Sequence, residues 1–300
     1  MSGLGWVLAT LIAAAAQTAR NATQASLTRA IGTIGATQVR FLFGLPFALV
    51  FLAVVVGVHR QPVPSLTFPA LGFTLLGALS QIAATALMLY TMKSQSFAVT
   101  TAWLKTEPVL VALVAAAVLG DPLTLPMLVA IAIATAGVLL MSVKPGTLGA
   151  MWQDGGPALT GLLAGLLFGL SAIGFRGAIT SLPTGDFLIR ATTILALSLA
   201  LQATLLCIWL LAFDRPALLA SFRVWRQSLG AGFLGAFASQ FWFIGFSLTS
   251  AANVRTLALI EVIFAQGVAR FVFRQGLGAR QTLGMAVIIA GVALLLRSQP

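Results

Sequence analysis

Charged residues are scarce in this sequence, and acidic residues are the scarcest of all. Of the 300 residues, 8% are charged and 59% are hydrophobic, and 17 Lys and Arg stand against 6 Asp and Glu. Soluble domains carry about 25% charged residues, and no polar stretch of this chain is long enough to form such a domain. The composition therefore excludes a soluble protein and predicts an all-α integral membrane protein that crosses the bilayer several times.

Residues with reactive side chains are also few. The single cysteine, Cys207, lies in an apolar run, and the single histidine, His59, lies in a loop. There is no HExxH pattern, no pair of neighbouring aspartates and no glycine-rich phosphate loop. We therefore expect no disulfides, metal or cofactor, and the protein should not be an enzyme. A membrane-embedded enzyme is the weaker alternative, and a channel would need a repeated polar ring that the sequence does not show.

The basic surplus gives a net charge of +11. In a soluble protein this would indicate nucleic acid, but here the basic residues are spread over short loops without interleaved aromatics. The positive-inside rule then places both termini on the periplasmic side of the cell inner membrane. The expected partners are the lipid bilayer and a small-molecule substrate, not nucleic acid, and we expect a monomer or weak dimer.

Long apolar runs fill most of the chain and are separated by short polar connections. The longest connection contains Lys144-Pro145-Gly146 and Gly155-Gly156-Pro157, which are strong breakers of regular structure. It divides the chain into two halves, residues 1–146 and 155–300. The hydropathy pattern predicts ten transmembrane helices, at 3–26, 36–58, 66–90, 96–119, 122–143, 157–181, 185–213, 227–250, 251–274 and 278–297.

The two halves repeat each other. Glu261 follows Glu107 by 154 residues, and Gly291-Val292 follows Gly137-Val138 by the same interval. Ser239-Gln240 follows Ser80-Gln81 at an interval of 159 residues. Five spans per half force the second copy to be inverted in the membrane, which is the design of many secondary transporters, whose sites lie near the midplane between the repeats.

The doubled pattern resembles the drug/metabolite transporter (DMT) superfamily, in particular its ten-helix EamA-type exporters, which include YddG-like amino acid exporters. The resemblance implies a basket of ten helices that exports small metabolites, often amino acids, by alternating access. In this sequence Val262 follows Glu261 where the first copy has proline, and the first span has no acid of the kind that couples protons in small four-helix relatives. The motifs that carry the resemblance are Thr106-Glu107-Pro108-Val109, Leu119-Gly120-Asp121-Pro122-Leu123-Thr124, Gly137-Val138-Leu139-Leu140, Leu259-Ile260-Glu261 and Gly291-Val292.

Ionisable residues inside the apolar spans are the candidate site. Glu107 lies about ten residues into its span, roughly 15 Å deep in a ~30 Å hydrocarbon core. Glu107 and Glu261 could hold a proton or a substrate amine, or could be structural carboxylates. Lys105 and Arg255 lie on equivalent helix stripes, one turn apart, because Arg255 corresponds to Thr101. They could contact substrate, pair with the glutamates, or extend their charged ends towards water.

Polar and aromatic residues near these charges complete the candidate substrate-binding set. Gln81 and Gln240 could hold a polar ligand or bond neighbouring helices. Trp103 and Trp242 could stack on an apolar group or serve packing. In span 2, Gly44 and Pro46 could form a hinge or only a local kink.

The surplus of deep cations over acids favours a substrate that carries a carboxylate or phosphate. Amino acids fit best, because the glutamates could meet their ammonium group. A phosphorylated metabolite or a lipophilic drug is the alternative substrate.

Overall fold

The structure is a computed structural model that describes residues 4–94, 104, 107–142, 155–271 and 278–298. This part of the chain is entirely helical. The elements in chain order are α1 (Gly5–Leu42), α2 (Leu45–His59), α3 (Phe68–Ser94), α4 (Glu107–Leu119), α5 (Leu125–Ser142), α6 (Gly155–Thr180), α7 (Phe187–Phe213), α8 (Arg215–Arg223), α9 (Trp225–Leu248), α10 (Ala251–Leu257), a 3₁₀ turn (Ala258–Ile260), α11 (Glu261–Phe271) and α12 (Ala279–Arg297).

Six helical segments in the described part are long and apolar enough to cross a membrane: Ala30–His59, Phe68–Thr91, Leu159–Thr180, Phe187–Phe213, Trp225–Leu248 and Ala279–Arg297. Two shorter apolar helices, Glu107–Leu119 and Leu125–Met141, accompany them. Many of their outward side chains are large and apolar; Val58 on α2, for example, is 73% exposed. Such a surface is stable in lipid and unfavourable in water, so the fold is that of a multi-pass membrane protein.

Helix α1 is two helices folded against each other. Gly32 has φ 75 and ψ 175, inside an otherwise helical run. The Gln24 side-chain amide donates to the carbonyl oxygen of Ala36 at 3.1 Å, although residues twelve apart would be ~18 Å apart along a straight helix. The chain therefore reverses at Gly32. The sequence predicted a connection of nine residues, 27–35, between spans 1 and 2. In the structure these residues are helical except at Gly32, so the predicted connection is too long.

A second interruption lies inside predicted span 2. Helix α1 ends at Leu42, and α2 begins at Leu45 with Gly44 as its N-cap and a proline in its first turn. Proline is tolerated there because the first amides of a helix have no intrahelical acceptor. A Cβ on Gly232 of α9 would lie 2.5 Å from the Phe43 carbonyl carbon. The interruption is thus packed tightly against α9.

Glycines allow pairs of helices to approach closely, and the glycines of the two halves occupy equivalent positions. The closest pairs are α1 with α9, α3 with α6 and α5 with α12. A Cβ on Gly137 would lie 2.7 Å from the Ile288 backbone nitrogen, and one on Gly291 would lie 2.5 Å from the Ala134 backbone nitrogen. Ala134 and Gly137 precede Ile288 and Gly291 by the same 154 residues. The repeated Gly-Val motif is therefore a reciprocal contact between α5 and α12.

Gly291→Ala should destabilise the protein by about 1–3 kcal/mol, because backbone atoms of α5 cannot make room for the methyl group. Gly57→Ala is the matched control, since Gly57 lies inside α2 with nothing within 4 Å of its added Cβ. That control should be neutral or stabilising by up to about 1 kcal/mol. Thermal melting of the purified variants measures both, and equal melting temperatures would contradict the close approach.

Candidate functional site

A buried ion pair connects the two halves of the chain. Arg255 Nη2 donates to Glu107 Oε1. The Glu107 side chain is 2% exposed and that of Arg255 11% exposed. Glu107 is the first residue of α4 in the described structure, and Arg255 lies in the last turn of α10. Of the roles considered for Arg255, the structure therefore shows pairing with a glutamate, and the partner comes from the other half.

The second glutamate follows a break in its span. Helix α10 ends at Leu257, a 3₁₀ turn covers Ala258–Ile260, and α11 begins at Glu261. A short 3₁₀ stretch inside a longer helix often marks a functional hinge. The carboxylate in the first turn of α11 is also favoured by the positive end of the helix dipole. The turn thus changes the direction of Glu261 relative to Arg255, six residues earlier.

Gln17 of α1 holds Glu261 and Trp242 together. Its side-chain amide donates to both carboxylate oxygens of Glu261, at 2.9 and 3.1 Å. Its carbonyl oxygen accepts a hydrogen bond from Trp242 Nε1 at 3.0 Å. The Trp242 ring in turn lies beside the Arg255 guanidinium, whose carbon is 5.6 Å from the ring centroid, a distance at which cation and ring attract.

These contacts form one continuous chain of side chains, Glu107–Arg255–Trp242–Gln17–Glu261, which we call the central network. Glu107 and Gln17 belong to the first half and the other three to the second. Glu107, Trp242 and Glu261 are buried. The two glutamates, which are equivalent by sequence, are thus each bound by a side chain from the opposite half.

The predicted glutamines lie elsewhere, against α7. Gln202 Nε2 donates to Gln81 Oε1 at 2.9 Å, and Gln240 Nε2 donates to Thr192 Oγ1 at 2.8 Å. Both contacts are hydrogen bonds between helices. Lys105 and Trp103 lie outside the described residues.

Sequence reasoning missed three members of this region. Gln17 and Arg20 lie within predicted span 1, and Arg40 lies near the start of predicted span 2. Arg20 and Arg40 are 3% and 4% exposed. The available signal was a polar or ionisable residue inside an apolar span, which is costly in lipid and commonly functional.

A second ion pair joins the halves at the end of the protein where α4 stops. Gly120 has φ 66 and terminates α4, as glycine commonly does at a helix C-terminus. The next residue, Asp121, accepts from Arg176 Nε at 3.0 Å and Nη2 at 2.9 Å. Arg176 Nη1 also donates to the carbonyl oxygens of Phe246 and Thr249. The Gly-Asp motif therefore fastens the first half to α6 and α9.

The same end carries a more exposed contact. His59 Nδ1 lies 2.6 Å from Asp186 Oδ2, and both side chains are over a quarter exposed. Burial raises the pKa of Asp186, but the Ile189 and Leu188 amides and His59 outweigh it and hold that pKa below its usual value. Asp186 also caps α7, so this contact orders the start of that helix.

Arg255→Met should destabilise the protein by about 3–5 kcal/mol, because it removes one charged member of a buried ion pair and leaves the Glu107 carboxylate without the Arg255 cation. The double variant Arg255→Met/Glu107→Gln should recover much of that loss, since neither member of the pair is then charged. Arg223→Met is the control, because Arg223 is exposed at the end of α8. Chemical or thermal unfolding is measured for the wild type, Arg255→Met, Glu107→Gln, the double variant and the control. Strictly additive effects of the two single substitutions would show that the pair is not coupled.

Comparison with known proteins identifies the family of this chain. The EamA-like transporter family model matches the chain twice, over residues 2–143 and 156–297. Among solved structures, a protein titled "Crystal structure of protein" superposes with a TM-score of 0.71 at 15% identity, covering 97% of this chain and 94% of that one, a likeness that shows the fold alone. No curated protein matches significantly. Since the family model matches both halves and nearly the whole length, the chain belongs to the EamA-like transporter family.

Proposed function

We propose that the protein is a secondary transporter that exports small zwitterionic metabolites, with amino acids as the first substrate class, across the inner membrane. The observation that carries this proposal is the central network. Ionised groups in the interior of a membrane protein are costly unless they are paired, and they commonly mark substrate or ion pathways. Here they join the two halves whose relative movement would open the site to one side and then the other.

The chemistry of the central network matches a zwitterion. Carboxylates of Glu107 and Glu261 can accept from an ammonium group, and the Arg255 guanidinium can donate to a carboxylate in a bidentate manner. A bound amino acid would therefore compete with the internal contacts, and its ammonium group would take Glu261 from Gln17. Substrate binding would loosen contacts between the halves, which couples occupancy to movement.

The architecture we propose is ten transmembrane helices in two inverted five-helix repeats, residues 1–146 and 155–300. The helix contacts support this arrangement. If each helix is replaced by its counterpart in the other half, the α1–α9 pair becomes the α6–α3 pair, and the α5–α12 pair becomes itself. The Asp121–Arg176 pair would close one end of the protein, and opening that end would have to break it.

The remaining candidate residues keep proposed roles around this centre. Lys105 would supply a further cation for the anionic group, and Gln81 and Gln240 would offer amides from the walls. Trp103 and Trp242 would pack on the substrate's apolar part. The interruption at Gly44 and Pro46 would serve as the hinge of span 2.

Phosphorylated metabolites are the second candidate substrate class. The observation that favours them is the surplus of cations in the interior: the buried Arg20 and Arg40 and the partly buried Arg255 lie near one another, against Glu107 and Glu261. A phosphate ester could use all three guanidinium groups.

Purified protein in liposomes should accumulate a radiolabelled L-amino acid by counterflow against a preloaded pool. Glu107→Gln should lower this uptake at least tenfold, because an amide cannot offer the charge of the carboxylate. Asp214→Asn is the matched control: it also removes a carboxylate, but Asn caps a helix as well as Asp does, and Asp214 caps α8. Uptake of phosphorylated sugars in place of amino acids would transfer the proposal to the second class. Chemical conversion of a substrate without movement would reject transport.

Fusions to the C-terminus should place a reporter on the periplasmic side. Alkaline phosphatase fused there should be active in cells, and a reporter that folds only in the cytoplasm should be dark. The reason is the concentration of Arg and Lys in the loops of the opposite face. The reverse pattern of activity would invert the proposed orientation.

A further inference from the structure

Two buried arginines lie beside the central network, and no carboxylate of the described residues pairs with them. Arg20 is 3% exposed and Arg40 is 4% exposed. Within the part of the chain that the structure describes, neither forms a salt bridge. A buried cation without a bonded anion is costly, so these two residues require an explanation that the central network does not provide.

The reversal of α1 at Gly32 places the two guanidinium groups at the same level. Gln24 bonds the carbonyl of Ala36, which sets the register of the two antiparallel segments. One helical turn further from Gly32, the segments place Arg20 opposite Arg40. The side chains converge on one glycine of α9: a Cβ on Gly235 would lie 3.4 Å from Arg40 Cγ and 3.8 Å from Arg20 Cδ.

Both guanidinium groups keep donors that bond no acceptor in the described part of the chain. Arg20 Nη2 donates to Asn21 Oδ1 at 2.8 Å, and Arg40 Nη1 donates to Thr85 Oγ1 at 3.1 Å. Among the described residues, Arg20 Nε, Arg20 Nη1 and Arg40 Nε are buried and have no acceptor. Buried donors are almost always satisfied in folded proteins, so three such donors on two adjacent cations leave places for an acceptor that the described residues do not supply.

The electrostatic surroundings favour an anion at this place. Arg40 is repelled by Arg20 and by Arg255, and Arg20 is repelled by Arg255 and attracted by Glu261. Among the described residues, the carboxylate that attracts Arg20 is that of Glu261, and it is already held by Gln17. One external negative charge between the arginines would relieve the repulsion and supply the missing acceptors.

We propose that Arg20 and Arg40, above Gly235, bind the carboxylate or other anionic group of the transported substrate. This assignment rests on the proposed transport function. Guanidinium forks match the planar, two-oxygen shape of a carboxylate. An α-amino acid carries its ammonium and carboxylate groups on the same carbon. Arg20 lies one helical turn beyond Gln17, which binds Glu261. The ammonium group can therefore approach Glu261 while the carboxylate meets Arg20.

The test uses full-length protein in proteoliposomes, with L-amino acids and their methyl esters as paired probes. Arg20→Gln and Arg40→Gln should each weaken the apparent affinity for the amino acid at least tenfold, since each removes charge-assisted hydrogen bonds to the anion. Competition by the methyl ester, which lacks the anionic group, should be unchanged. Arg223→Gln is the control, because it removes an exposed arginine.

Thermal melting of the ligand-free proteins separates this site from a structural role. If the arginines serve a ligand, Arg40→Gln should leave the melting temperature equal to or above that of the wild type, because it removes an uncompensated buried charge. A large fall in melting temperature, also for Arg40→Lys, together with unchanged amino acid affinity in the folded fraction, would overturn the proposal.

The two proposals fail in different ways. Transport of amino acids by wild type, with unchanged affinity in both glutamine variants, would reject the arginine site and leave the transport function intact. If no amino acid is transported, sodium acetate and inorganic phosphate become the probes. They should raise the melting temperature of the wild type more than that of Arg20→Gln. No difference with either anion would reject the site as well.

Discussion

Compensation of charge inside the bilayer is the constraint on which this structure depends. Glu107 and Arg255 could not remain ionised in a hydrocarbon environment alone, and each needs the other. Because they belong to different halves of the chain, this one requirement also determines how the halves meet. The Glu261 carboxylate is also bound across the halves. Here the acid belongs to the second half, and its hydrogen-bond donor, Gln17, belongs to the first. Trp242 joins the two contacts, so neither half can move without disturbing the other.

This arrangement combines closely packed helix pairs with a polar centre. The helix pairs α5–α12 and α3–α6 approach so closely that their glycines cannot be enlarged, which makes them stiff. At the centre, by contrast, the contacts between halves are polar. The zwitterionic substrate that we propose would offer groups of the same kind as these internal partners and would exchange with them. The break between α10 and α11 lies between Arg255 and Glu261, where such an exchange would act.

The comparison of sequence and structure is instructive at particular residues. Glu107, Arg255 and Glu261 stood out because ionisable residues in apolar spans are rare, and Trp242 was expected to stack or pack nearby; the structure brings the four together. Gln17 escaped selection because a single glutamine near the centre of a span has many harmless roles. Gln81 and Gln240 look equivalent to the selected residues in sequence, but their direction around the helix leads them to α7. Gly32 escaped because one glycine is a weak signal, although its positive φ reverses the chain.

The sequence by itself determined the class of protein, the apolar segments, the division into two copies and the presence of buried charge. These follow from composition and interval, which need no knowledge of neighbours. Only the tertiary structure decided which charges meet. A helix reveals its buried face from sequence, but its partner depends on the rotation and register of every other helix. The pairing of Glu107 with Arg255, and the convergence of Arg20 and Arg40 across the turn at Gly32, arise from that mutual placement.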